Sequence, residues 1–132
     1  MKDKLDHARG WFRKGDSDLK TLKLLLEADG PFDTACFHAQ QAVEKYLKGT
    51  LALSDQSIPK THNLEQLQGM GKASVPGWPF EELDLCKLTD YAVQIRYDFA
   101  FSPDQQQVIE ALKLAEEVRL RAMQFAPKEA HP

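Results

Sequence analysis

The chain has 132 residues, of which 42% are hydrophobic and 28% charged, and its formal net charge is −3 at pH 7. This composition is typical of one soluble globular domain, and the negative balance excludes a protein that coats DNA non-specifically, which needs a strong basic excess. No stretch approaches the roughly 18 apolar residues that span a bilayer, and the charged start does not resemble a signal peptide, so we expect a cytoplasmic protein with no membrane partner.

Apolar side chains recur at spacings of three and four from residue 4 to residue 28, which predicts a long helix with one buried stripe. The stripe comprises Leu5, Ala8, Phe12, Gly15, Leu19, Leu22 and Leu26. Asp29-Gly30-Pro31 then predicts a helix stop followed at once by a helix start, because glycine suits the left-handed stop and proline the first turn. So short a connection makes the first two helices antiparallel neighbours.

The second predicted helix runs to about Leu53 and separates a small, apolar arc from a polar one. The apolar arc holds Ala35, Ala39, Ala42, Val43, Tyr46, Leu47 and Thr50, and the polar arc holds His38, Gln41, Glu44, Lys45 and Lys48. Phe37 lies among the polar side chains, where a solvated face rarely needs a phenylalanine. We therefore expect a homodimer with Phe37 and Glu44 at its interface; an ordinary amphipathic helix with one stray aromatic is the alternative.

Three further helices are predicted after residue 60. Asn63 is expected to cap a short helix that Gly69-Met70-Gly71 breaks. A longer helix is expected from Phe80 to Asp98, and Ser102-Pro103-Asp104-Gln105 predicts the start of the last helix, which Pro127 stops.

The predicted architecture is an all-α, antiparallel up-and-down bundle of four long helices plus one short helix. It forms a single domain over residues 1–127, and residues 128–132 are expected to be a frayed tail. The two cysteines, Cys36 and Cys86, fall in periodic apolar segments and are predicted to be small buried side chains in a reducing compartment.

The fourth helix is predicted to bury an arginine. Its apolar arc comprises Leu85, Leu88, Ala92, Ile95 and Phe99, extended by Cys86 and Val93. Arg96 projects into this arc, and since an unpaired buried charge is very costly, it must be paired or reach an opening. Two interpretations stay open: an ion pair with Glu44 or Asp90, or an arginine aimed at phosphate.

No motif for a metal or a cofactor is apparent, and we predict neither. There is no glycine-rich phosphate loop and no dinucleotide fingerprint. The four histidines, His7, His38, His62 and His131, are scattered and have no recognised ligand spacing.

The pattern resembles a HEPN domain over nearly the whole length. Besides the long first helix, the resemblance rests on the run Phe37-His38-Ala39-Gln40-Gln41-Ala42-Val43-Glu44-Lys45-Tyr46-Leu47-Lys48 and on Arg96-Tyr97 at the end of the fourth helix. Thr61-His62-Asn63-Leu64 also resembles an element in the middle of the family's sequences.

The resemblance implies a helical bundle that commonly forms homodimers, and in prokaryotes often a partnership with a minimal nucleotidyltransferase in toxin–antitoxin-like pairs. Many members are metal-independent ribonucleases that carry an arginine followed, after four to six residues, by a histidine that moves the proton of the 2′-hydroxyl. Here residues 97–103 contain no histidine. His38 and His62 could approach Arg96 only through folding or a dimer partner.

We therefore predict a non-catalytic HEPN-type module that binds a nucleotide or a minimal nucleotidyltransferase. The alternatives are a metal-independent ribonuclease toxin with a displaced histidine and a helical protein-interaction module. The candidate nucleotide-, RNA-phosphate- or partner-binding residues are Arg96, Tyr97, Lys45, Lys48, His38 and Gln41.

Overall fold

The computed structural model describes residues 3–132 and contains, in that range, five α-helices, a final 3₁₀ turn and no strand. The helices are α1 (Lys4–Glu27), α2 (Phe32–Leu53), α3 (Leu64–Ser74), α4 (Cys86–Tyr97) and α5 (Gln105–Phe125), and the turn spans Lys128–Ala130. The all-α helical bundle is confirmed. The helix lengths differ from expectation, because α4 begins late, so that three helices are long and two are shorter.

Helix α2 forms the centre of the bundle and packs against α1, α3, α4 and α5. It is therefore buried on almost every side, as is a helix in the core of a larger fold. The polar arc that was predicted to meet a partner is buried within the chain at two positions, since Glu44 is 2% exposed and Lys48 is 5% exposed. Their charges lie inside the protein, in contact with each other.

Helix α1 begins with a capping box between Asp3 and Asp6 and buries the predicted stripe against α2. The chain reverses at Asp29 and Gly30, whose φ angles are 63° and 116°. Glycine adopts such a positive φ angle without strain, so Gly30 allowed the end of α1 to be predicted from the sequence.

Two helix boundaries in the middle of the chain differ from the prediction. Helix α3 continues through Gly69 and Gly71 to Ser74, and Gly71 leaves room for the ring of Trp78. Residues 80–85 are not helical, although a helix was expected there. The amide of Gln68 donates to the carbonyl oxygens of Phe80 and Leu83, at 2.7 and 3.2 Å, so a side chain satisfies groups that a helix would pair internally.

The C-terminal part of the chain is more ordered than its sequence indicates. Helix α5 begins within the predicted start signal: Asp104, two residues after Ser102, is its cap and forms a capping box with Gln107. The tail does not fray: Ala130 is fully buried, and Arg9 of α1 donates to the carbonyl oxygen of Glu129. The tail thus packs back onto the first helix.

Three side chains predicted to be buried are exposed. Cys86 opens α4 at the surface, whereas Cys36 is buried as expected. Phe99 and Val93 are exposed, because α4 ends at Tyr97 and its buried side is confined to Leu88, Tyr91 and Ala92. Among the described residues, no helix is both long and apolar enough to cross a membrane.

Candidate functional site

A cleft of about 180 Å³ opens beside α4. One wall is the C-terminal half of α4, another is Gln41 of α2, and the third is the segment that leads into α3. The lining residues are Gln41, His62, Asn63, Thr89, Ala92, Val93, Arg96 and Tyr97.

Arg96 lies at the edge of this cleft and is exposed. The prediction that it projects into the apolar arc is wrong, and so is the ion pair with Glu44 or Asp90: within residues 3–132, no carboxylate lies within ion-pair distance of its guanidinium. The reason is the position of Arg96 in the last turn of α4, beyond the part of the helix that meets the core. A cation there is favoured by the helix dipole.

Tyr97 follows Arg96 and is 77% exposed. Its ring borders the cleft, and Val93, one turn earlier, is 56% exposed. The rim of the cleft on α4 therefore combines an unpaired guanidinium with aromatic and aliphatic surface.

His62 is held against α2 on the other side of the cleft. Its Nδ1 lies 2.8 Å from Oε1 of Glu44, and its main-chain carbonyl oxygen accepts a hydrogen bond from Gln40 at 3.0 Å. The side chain of His62 remains 57% exposed although its partner Glu44 is buried. Glu44 also accepts from Lys48 at 3.2 Å.

Gln41 connects the cleft to a second polar cluster, between α1 and α2. Its amide oxygen accepts from Lys45 at 3.0 Å. Asp18 of α1 in turn pairs with both Lys45 and His38, at 2.9 Å each. The side chains of Lys45 and His38 are thus directed to α1, and neither lines the cleft.

Thr89 fixes α4 to α3 at the base of the cleft. Its hydroxyl donates to Glu65 at 2.7 Å. Burial raises the pKa of Glu65, but hydrogen bonds from Cys86 and Thr89 outweigh this effect and hold the pKa below its ordinary value. Glu65 is therefore ionised at neutral pH and occupied by its own partners.

A family model described as HEPN domain matches residues 8–124. The chain belongs to the HEPN family. Neither a curated protein nor a solved structure matches it. The HEPN match includes all of the cleft residues and confirms the family resemblance that α2 and Arg96-Tyr97 indicate.

In this HEPN domain the predicted site residues lie in three places. Arg96, Tyr97 and Gln41 share one cleft. His38 and Lys45 lie in the Asp18 cluster, and Lys48 is buried beneath Trp11, with its Nζ 5.3 Å from the centre of the indole ring.

The two residues predicted for a dimer interface do not share a surface. Glu44 is buried, so its assignment to an interface is wrong. Phe37 is half-buried, and its ring meets that of His38 edge-on, with 5.6 Å between centroids. The aromatic on the polar arc is thus partly covered within the chain.

His62 lines the cleft although it was not among the predicted binding residues. The sequence indicated it in two ways: the Thr61-His62-Asn63-Leu64 element of the HEPN resemblance, and the expectation that only folding or a dimer partner could bring His38 or His62 to Arg96. Among the described residues, no group of three or more His, Cys, Asp or Glu side chains could hold a metal ion. The polar groups that line the cleft are a guanidinium, an imidazole, two amides, an aliphatic hydroxyl and a phenol.

Proposed function

We propose that this HEPN domain binds a nucleotide through its phosphate, at Arg96. The observation that carries the proposal is the exposed guanidinium of Arg96, which has no carboxylate partner within residues 3–132 and faces a cleft. Arginine presents a planar fork of donors that matches phosphate oxygens, and a cation without a resident anion is ready to accept one.

The size of the cleft limits what it encloses. Pockets that bury a whole drug-sized ligand measure about 300–1,000 Å³, whereas this one measures about 180 Å³. It therefore suits a phosphate and part of a sugar, and the base lies outside. The exposed ring of Tyr97 supports this arrangement, since bases stack on aromatic side chains irrespective of their sequence.

Arg96→Lys tests the proposal, because it keeps the charge but removes the bidentate fork. We expect the variant to fold normally and to bind nucleoside 5′-monophosphates at least about tenfold more weakly, or about 1.4 kcal/mol. Isothermal calorimetry at fixed salt measures this. Arg13→Lys is the matched control, since Arg13 is exposed on α1 and does not line the cleft. Unchanged binding in folded Arg96→Lys would remove Arg96 from the site.

The Glu44–His62 hydrogen bond supports a second candidate, metal-independent RNA cleavage with a displaced histidine. A histidine oriented by a carboxylate is suited to proton transfer, which typically contributes about 10²–10⁴-fold to a rate. Nucleotide binding alone predicts no cleavage of RNA in EDTA by the purified protein. Cleavage that both Arg96→Ala and His62→Gln abolish would establish the second candidate, and cleavage that survives in both variants is contamination.

We also propose two protein partners for the end of α4. The exposed side chains of Val93, Tyr97 and Phe99 lie within seven residues and support pairing of two copies of the chain there.

A minimal nucleotidyltransferase, as in toxin–antitoxin-like HEPN pairs, is the other partner, with an acidic surface directed to Arg96. We expect such a partner to co-purify with the wild type but not with Arg96→Lys, and nucleotide should displace it. If it co-purifies equally with Arg96→Lys and in the presence of nucleotide, Arg96 is not the residue that binds it.

A further inference from the structure

Leu120 forms an exposed ridge on α5, with a groove on each side. Its side chain is 52% exposed and lines both grooves. One groove, of about 440 Å³, lies between α5 and α1, and the other, of about 540 Å³, lies between α5 and the turn over residues 79–82. Neither groove shares a lining residue with the cleft beside α4. This face of the bundle is therefore separate from the proposed nucleotide site.

The groove beside α1 has an excess of positive charge, since three cations and two carboxylates line it. Lys23 pairs with Glu116 at 3.5 Å. Arg119 pairs with Asp16 at 2.7 Å. Lys20 is exposed, and within residues 3–132 no carboxylate lies within ion-pair distance of its ammonium. Lys20 is thus available to an anion from outside the chain.

The groove beside the turn has the opposite excess. Two carboxylates line it, those of Glu82 and Glu117, and both contact the guanidinium of Arg121. The side chain of Glu82 is 67% exposed. Pro79 and Phe125 supply the apolar part of the lining. One face of the molecule therefore combines an apolar ridge, a groove with apolar walls and unbalanced charges of both signs.

We propose that this face pairs with the same face of a second copy of the chain. Leu120 of each copy would lie in the other copy's groove beside Pro79 and Phe125, as the ridge of one helix packs into the groove of another. A two-fold axis along α5 turns the α1 side of one copy toward the turn of the other. Lys20 of each copy then lies opposite Glu82 of the other. The face is complementary to itself in shape and in charge, which is what pairing of identical surfaces requires.

This pairing should be weaker than the one proposed at the end of α4. Each copy offers one large exposed apolar side chain here, whereas Val93, Tyr97 and Phe99 offer three there. We expect a dissociation constant of about 0.1–1 mM, the range of small transient contacts. At micromolar concentrations the contact through α5 would therefore be mostly open.

Sedimentation equilibrium of folded Phe99→Asp tests the proposal, because this variant places a charge at the end of α4 and leaves α5 unchanged. Its average mass should rise from 15.0 kDa toward twice that value as the concentration approaches about 1 mM. Adding Leu120→Asp should abolish the rise, because pairing would bury a carboxylate. Adding Leu24→Asp is the matched control and should leave the rise unchanged, since Leu24 is 56% exposed on α1 but lines neither groove.

A charge exchange tests the arrangement of the two copies. In the Phe99→Asp protein, Lys20→Glu and Glu82→Lys should each weaken pairing at least about fivefold, since the two-fold axis makes every altered contact occur twice. The protein with both substitutions should recover the original affinity. A mass that stays at 15.0 kDa at all concentrations, or a rise that survives Leu120→Asp, overturns the proposal. So does a folded double exchange that pairs no better than the single ones.

Discussion

Glu44 is the residue on which the polar interior of the bundle converges. Its carboxylate receives hydrogen bonds from Gln40, Lys48 and His62, and only His62 is substantially exposed. Within residues 3–132, every buried side-chain nitrogen and oxygen atom has a hydrogen-bond partner. Removal of Glu44 would therefore leave the ammonium of Lys48 in the core without its counter-ion, which is costly.

We expect Glu44→Ala to lower the free energy of unfolding by about 3–5 kcal/mol, because it strands a buried charge. Arg96→Ala, at an exposed position without an ion pair, should change the same quantity by less than about 1 kcal/mol. Urea denaturation followed by circular dichroism measures both. Similar small effects for the two variants would mean that Lys48 reaches water or another anion when Glu44 is absent.

At the residue scale, the site could be predicted where it depends on one helix and not where it depends on two. Arg96 and Tyr97 are adjacent on α4, so the sequence could predict that they belong to the same site. The contact between Glu44 and His62 joins positions 18 residues apart through the fold, and helical periodicity contains no information about it. The burial of Lys48 was missed for a related reason: a helical wheel does not reveal that neighbours cover both arcs.

At the scale of elements, α1 and α2 approach closely at Gly15. A Cβ atom added there would lie 2.7 Å from the Tyr46 ring, closer than real contacts allow. The ring cannot easily yield, since its hydroxyl donates to Asp16 at 2.6 Å and Asp16 is held by Arg119 at 2.7 Å. Burial, together with this bond to Asp16, raises the pKa of Tyr46 above its usual range, so it remains a donor.

Gly15→Ala and Gly10→Ala should therefore change stability in opposite directions, although both lie on α1. At Gly10 an added Cβ meets nothing within 4 Å, and alanine should stabilise the helix by up to about 1 kcal/mol. At Gly15 the clash should outweigh this gain and destabilise by about 1–3 kcal/mol. Thermal unfolding of the two variants is the measurement. A stabilised Gly15→Ala would show that the two helices can separate without loss.

Helix ends were predictable where a side chain caps the backbone locally and not where a distant one intervenes. Asn63 accepts from the amide of Gln66, as its sequence position predicts. The late start of α4 depends on Gln68 of α3, whose side-chain amide donates hydrogen bonds to the carbonyl oxygens of Phe80 and Leu83. The glycines of α3 do not end the helix, because the packing of Gly71 against Trp78 outweighs the low helix propensity of glycine.

For the whole molecule, we expect a homodimer with a mass near twice 15.0 kDa. Phe99, the most exposed large apolar side chain at the end of α4, provides the test. Phe99→Asp should shift the protein toward the monomer in light scattering at micromolar concentrations, because the charge would be buried on pairing. Leu24→Asp is the matched control on α1, where Leu24 is 56% exposed. A monomeric wild type at all concentrations contradicts the expectation.

The central position of α2 gives the cleft two walls of unequal rigidity. Gln41 and the anchors of His62 belong to a helix covered on nearly all sides, whereas α4 buries only three of its residues. Amide hydrogens in the buried half of α2 should exchange with solvent only when the whole bundle opens, and those of α4 through smaller, local openings. A ligand would thus meet a fixed imidazole and a guanidinium that adjusts to it, and its arrival should slow deuterium uptake in α4 while leaving that of α2 unchanged.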